Sequence, residues 1–270
     1  MCDACVMEAV KDRMLSRRTL FRGGLAAGVA GIAAGAGGAA LAQAASEAHD
    51  LTHTLSEDFP TFFGEPGFSM TQKFAFEADG FNLFDLAIDE HTGTHIDAPF
   101  HFSADGATVD QIEVGQLVVP LCVVDIREKA AADPDAQVTP DDLSSWISAN
   151  GEIPDRACVA MLSGWADKVD TEAFRGADAE GKLHFPGFHP DAAAMLLDTQ
   201  AAAIAVDTLS LDHGPSPDFA THYAWLGAGR YGIECVAALD RLPATGATLI
   251  VGAPKHRGGS GGPARIFAMV

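Results

Sequence analysis

Basic residues are few in this 270-residue chain: 17 Lys and Arg stand against 37 Asp and Glu. Such a surface repels phosphate backbones and anionic lipid headgroups, which excludes a nucleic-acid partner. Cysteine is sparse as well. Cys2 and Cys5 precede a leader segment, and Cys122, Cys158 and Cys235 remain beyond it, an odd number, each flanked by apolar residues. No second C-x-x-C pair completes a zinc site, so buried thiols are expected rather than a disulfide framework. The chain has no internal repeat and no composition shift that marks a second domain.

One uncharged run, residues 23–42, is long enough to span a bilayer. It follows Ser16-Arg17-Arg18-Thr19-Leu20-Phe21-Arg22 and leads into Ala42-Gln43-Ala44, which places small residues at −3 and −1 of a cleavage site. Its many glycines make it weakly hydrophobic, which favours a removed signal over a membrane anchor. Residues 1–44 therefore read as a twin-arginine signal peptide and residues 45–270 as the exported, periplasmic domain, with no stable membrane association after cleavage. The 226 residues left are enough for one domain with a real core. They hold 12 basic and 34 acidic residues, a net charge near −22.

Residues 117–126, residues 157–162 and Ala203–Val206 are apolar runs of strand length, expected to be buried on both faces. Residues 81–89 read as a strand with mixed faces, and residues 248–252 and 265–270 close the sheet. Thr139-Pro140-Asp141-Asp142 opens a helix that Gly151 stops. His189-Pro190-Asp191 opens another that runs to about Gln200. Residues 168–186 are polar and read as a surface loop. The pattern is that of a single α/β domain.

The chemistry concentrates in His91-Thr-Gly-Thr-His95-Ile-Asp97-Ala-Pro-Phe-His101-Phe. Imidazole and carboxylate are the usual ligands of Zn²⁺ or Mn²⁺. Gly93 and Pro99 break any regular helix here. In an extended chain His91, His95, Asp97 and His101 share one side, with Ile96, Phe100 and Phe102 on the other. Two histidines four residues apart would then be separated by roughly 13 Å, too far for one ion with bonds of about 2.1 Å. A bend at Gly93 is therefore expected. A solvated histidine-rich loop is the bland alternative, but no Lys, Arg, Asn, Gln or Ser dilutes the cluster.

This segment resembles the H-x-G-T-H-x-D-x-P-x-H-F signature of the metal-dependent cyclase-like hydrolases, which include kynurenine formamidases and isatin hydrolases. Asp207-Thr-Leu-Ser-Leu-Asp212, the stretch from His222 to Glu234, Leu242 to Pro254 and Gly261-Gly-Pro-Ala-Arg265 resemble later blocks of that family. The resemblance implies a swivelling β/β/α domain with a mixed, partly closed sheet, and a homodimer or larger homo-oligomer. It also implies metal ligands: Asp97 bridging, His91 and His95 on one ion, His222 and Glu234 on a second. One ion or two stays open. Twin-arginine export carries folded proteins, so an ion acquired in the cytosol is retained, which tilts the choice toward Mn²⁺ over Zn²⁺.

By the same resemblance His101 is the proton donor and acceptor; a third ligand or a support for the ligands is its alternative. The implied reaction is hydrolysis of a small-molecule amide, an aryl formamide or a cyclic amide, by water activated at the metal. Ring opening of isatin or another lactam is the neighbouring reading, and a metal-binding protein without turnover is the reading from another class. The family's formamidases place a tryptophan where this chain has Phe62, so Phe62 is the candidate substrate contact, with Phe63 and Phe68 beside it. That departure, and export, both count against N-formylkynurenine. His53 is a candidate lining residue, and Asp207, Ser210 and Asp212 are candidate supports for ligand imidazoles. His184, His189, His213 and His256 read as surface or loop residues.

Overall fold

The computed structural model describes residues 47–270; the twin-arginine segment and its cleavage site lie outside them. In chain order the strands are β1 (Ala48–Asp50), β2 (Phe68–Phe74), β3 (Leu83–Ile88), β4 (His95–Asp97), β5 (Val118–Asp125), β6 (Gln137–Val138), β7 (Cys158–Leu162), β8 (Gly187–Phe188), β9 (Ala203–Val206), β10 (Tyr231–Glu234), β11 (Ala247–Gly252), β12 (Gly261–Pro263) and β13 (Arg265–Met269). The helices are α1 (Phe76–Asp79), α2 (Arg127–Ala132), α3 (Pro140–Asn150), α4 (Pro190–Leu197) and α5 (Ala220–Gly227).

Nine strands form one mixed sheet that curls into a half-barrel, in the order β1-β13-β11-β5-β7-β9-β10-β4-β12. The run β5-β7-β9-β10 is parallel and both flanks are antiparallel. The apolar runs seen in the sequence supply the centre: every residue of β7 and β9 is buried. Side chains alternate between two cores, as the twofold strand period requires. Leu121, Val123 and Ala160 join Ile96, Ile233 and Ile266 inside the curl. Cys122, Val124, Val159 and Met161 face Trp146, Leu196 and Trp225 from the helices. The three described cysteines are free and buried.

Thr139 caps α3 as expected, and its hydroxyl accepts from the Asp142 backbone while Asp142 accepts from the Thr139 N–H at 2.7 Å. The following helix ends earlier than expected. It stops at Leu197 because Thr199 Oγ1 donates to the Leu196 carbonyl and accepts from Ala201 N–H, turning the chain before Gln200. Residues 168–186 are not merely a surface loop. Phe174, Leu183 and Phe185 are buried with Phe59 and Trp165 in a third core.

Residues 71–85 separate from the main unit as the tip of a hairpin, where β2 and β3 pair around α1. The mixed faces expected of residues 81–89 are absent: all six residues of β3 are exposed. Within the tip, the Phe74 and Phe81 rings pack at 5.1 Å.

Candidate active site

The chain bends through residues 91–94, with Gly93 at φ +69°, and then enters β4 at His95. The bend brings the His91 and His95 ring centroids to 5.2 Å. Strand register does the rest. β4 lies between β10 and β12, placing His95 opposite Glu234 and Asp97 opposite both Gly232 and Gly261. Gly261 sits so close that a Cβ there would lie 2.3 Å from the Ile96 carbonyl and 2.7 Å from His91 Cε1. His222 comes from the first turn of α5. Asp212 fixes it by accepting from the Thr221 and His222 N–H groups at 2.8 and 3.1 Å and from His222 Nδ1–H at 2.6 Å.

Three imidazoles are thereby held in one tautomer each. His95 Nδ1–H donates to the Gly93 carbonyl at 2.8 Å, leaving Nε2 as a lone pair 3.3 Å from both Asp97 Oδ1 and Glu234 Oε2. With Nδ1–H of His222 given to Asp212, its Nε2 lone pair lies 3.1 Å from Glu234 Oε1 and 3.7 Å from Asp97 Oδ2. His91 Nε2–H meets Ser260 Oγ at 2.9 Å, and that hydroxyl donates in turn to Glu90 Oε2 at 2.5 Å. The His91 Nδ1 lone pair is then 2.7 Å from Asp97 Oδ1. His256 Nε2 closes the chain on Glu90 Oε1 at 2.6 Å.

Neutral imidazole nitrogens aimed at carboxylates repel them unless a proton or a metal ion lies between. His95, Asp97, His222 and Glu234 are 2, 0, 3 and 5 % exposed, so bulk water does not relieve the repulsion. His95 Nε2 and Asp97 Oδ2 are buried with no hydrogen-bond partner. Burial opposes charge on His95, yet Asp97 and Glu234 outweigh it and push its pKa up to about 10. Burial likewise opposes charge on Asp97, but His222, His91 and His95 hold its carboxyl well below the usual range. The cluster draws positive charge, which protons on the imidazoles or a metal cation can supply. Donor atoms of His95, Asp97 and Glu234 lie within 4.8 Å of one another, and so do those of His91, Asp97 and His101, a spread that bonds of about 2.0–2.2 Å can span. The residues fit a divalent ion.

His101 ends the turn Pro99–His101, its ring stacked on His91 at 3.7 Å. Burial pushes its pKa down to about 4, so the ring is neutral near pH 7. That same turn breaks the strand alternation expected beyond Asp97. Phe102 faces the site, its ring 4.6 Å from His222, rather than the side that Ile96 occupies.

These groups open into a cavity of about 780 Å³ whose apolar lining includes Phe62, Phe63, Ile88, Phe102, Leu209 and Phe219; Ser210 lines it too. No Lys or Arg is among its lining residues. Phe62 lines this cavity, and Arg175 braces its carbonyl with two 3.3 Å hydrogen bonds. Phe68 falls outside the cavity, in the hairpin strand β2. His53 also falls outside. It lines a neighbouring cavity of about 580 Å³, its N–H donates to Thr94 Oγ1, and its ring packs near Phe59 and Phe174. Asp207 is a loop-fixing group that accepts from Ser163, Gly164 and Trp165. His184 pairs with Asp135, and His189 accepts from Asp191 N–H at the start of α4. Phe219, Glu90 and Ser260 were not legible as site residues. Only Glu90 lies beside the motif, and nothing in its neighbourhood signals its partner 170 residues away.

The family model named Cyclase matches residues 49–213. The chain is 35 % identical over 195 residues to an isatin hydrolase of Roseibium aggregatum, covering 68 % of this chain and 73 % of that one. It is 28 % identical over 190 residues to a kynurenine formamidase of Salinibacter ruber, covering 68 % and 78 %. Among solved structures, isatin hydrolase A from Labrenzia aggregata bound to benzyl benzoate superposes with a TM-score of 0.79 at 36 % identity, covering 85 % of this chain and 96 % of that one. An isatin hydrolase bound to the product analogue thioisatinate superposes with a TM-score of 0.79 at 27 % identity, covering 100 % and 99 %.

Proposed function

This chain belongs to the cyclase family, matched over more than half its length, and from that premise we propose that it is a metal-dependent hydrolase of a non-peptide carbon–nitrogen bond, acting on a neutral aromatic amide. The observation that carries the reading is the convergence of three imidazole nitrogens on two buried carboxylates. His91, His95, Asp97, His222 and Glu234 would hold the cation. A bound Mn²⁺ or Zn²⁺ supplies Lewis acidity, polarising the carbonyl and making water a stronger acid.

The chain's own groups do the remainder. Neutral His101 accepts the proton of the attacking water and returns it to the departing nitrogen, a transfer worth about 10²–10⁴-fold in rate. Water adds at the carbonyl carbon, the carbon–nitrogen bond breaks, and the products are a carboxylate and an amine, or a carboxylate and an amide where the substrate is an imide. Stacking on His91 restrains the His101 ring. The phenylalanines exclude solvent and orient the ring of the substrate. With no Lys or Arg on its walls, the cavity suits an isatin, an aryl formamide or a cyclic imide better than a zwitterionic amino acid.

The test is a panel of aryl formamides, isatins and cyclic imides offered to the Mn²⁺- and Zn²⁺-loaded protein. At least one should be turned over and lost on chelation; silence across the panel in both forms ends the reading. We also infer export to the periplasm with removal of residues 1–44, and a homodimer or larger assembly. No described helix is long and apolar enough to cross a membrane. Exposed Phe63, Leu86 and Tyr223 supply apolar surface for self-association. The N-terminal sequence of the mature protein and its mass in solution check the two points.

A further inference from the structure

Phe219 holds a backbone conformation that a bulky residue avoids. At φ 52° and ψ 42° it is left-handed, where Gly or Asn would sit with less strain. It stands at the N-cap of α5 yet makes no capping hydrogen bond with its side chain. Asp212 supplies the caps instead. The helix start therefore gives no reason for phenylalanine.

The ring gives one. It lies 5.7 Å from Phe62, 5.6 Å from Phe102 and 5.7 Å from His222, the last nearly edge-on at 84°. These rings join into one aromatic wall of the 780 Å³ cavity. Strain that persists at a site is retained for what it positions. We propose that Phe219 is a specificity-determining residue: its left-handed backbone delivers the ring beside His222, where it selects aryl over alkyl amides. This rests on the amide-hydrolase reading above.

The experiment compares wild type with Phe219→Ala, Phe219→Gly and Phe219→Tyr in the metal-loaded protein, using formanilide and N-butylformamide as probes. Ala and Gly both remove the ring, but only Gly relieves the backbone. Phe219→Gly should therefore melt about 2–4 °C above Phe219→Ala. Both should raise KM for formanilide about tenfold with a much smaller change in kcat, and leave KM for N-butylformamide little altered. Phe219→Tyr should restore the aryl preference. An aryl-to-alkyl ratio in Phe219→Ala equal to wild type overturns the proposal, and so does Phe219→Gly melting no higher than Phe219→Ala.

Isatin binding to the metal-loaded protein, with His101→Ala added to every form to stop turnover, separates this inference from the functional one. If wild type hydrolyses neither amide, the functional reading is decided by the wider panel of isatins and cyclic imides, and the aromatic wall is read from isatin binding. About tenfold weaker isatin binding in Phe219→Ala and Phe219→Gly would still uphold the aromatic wall, while equal binding, or none by wild type, overturns it.

Discussion

His101 stacks on the face of the His91 ring and Ser260 bonds its edge, and their removal should have opposite signatures. His101 offers a neutral ring, held so because burial pushes its pKa down to about 4. His101→Ala should keep full metal content by elemental analysis while kcat falls about 10²–10⁴-fold; retained turnover would remove its proton-transfer role. Ser260 instead fixes the His91 tautomer by accepting its Nε2–H and passing a hydrogen bond to Glu90. Ser260→Ala should loosen metal binding about 10–100-fold in a chelator competition, and an unchanged dissociation constant would show that His91 needs no such support. The sequence announced His91, His95, Asp97 and His101 because they fall within eleven residues, and the bend at Gly93 followed from the distance two ligands must close. It was silent about Ser260, which reaches His91 across 169 residues of chain. Phe102 was placed on the wrong side because alternation was extended through Pro99, where the chain turns instead.

Among the elements, α3 shows most directly how local sequence sets structure. Asp142 accepts from Thr139 and pairs with Lys129 Nζ at 2.6 Å. Burial opposes the charge on Asp142, but Lys129 and Thr139 outweigh it, and the pKa is lowered. A lowered folded pKa means the stabilisation is present above the unfolded value and is lost as pH falls through the folded one. Asp142→Ala should therefore cost about 1 kcal/mol in denaturant unfolding at pH 7. The gap from wild type should narrow below about pH 4. A gap that is constant with pH would assign the loss to packing rather than to the cap. β7, β9 and α3 were legible because each carries its signal in its own residues. The short strands β4, β10 and β12 carry no period of their own, and α5 is capped by Asp212, eight residues before it begins.

At the level of the molecule, the half-barrel exists to bring distant segments around one point. β4 gains its neighbours from residues 231–234 and 261–263, and β1 pairs with β13 at the far end of the chain. No local pattern encodes that order; the family resemblance implied a mixed, partly closed sheet but not which strands pair. On the metal-dependent reading, the cation would then be part of the fold. Imidazoles and carboxylates from β4, β10, α5 and the bend face one another, all but His91 buried. An ion bound at about 1,000 times its dissociation constant stabilises the folded state by about 4 kcal/mol, or on the order of 10 °C in melting temperature for a chain of this size. Chelation should lower the melting temperature by that amount, and Mn²⁺ or Zn²⁺ should restore it. Protons and the cation compete for the same lone pairs, so the metal binds more tightly as pH rises. Protonated imidazoles partly replace the ion at pH 6 and do so less at pH 8.5. The melting gap between loaded and chelated protein should therefore widen with pH across that interval, as differential scanning calorimetry would show. A gap that closes instead would mean that something other than these imidazoles holds the ion.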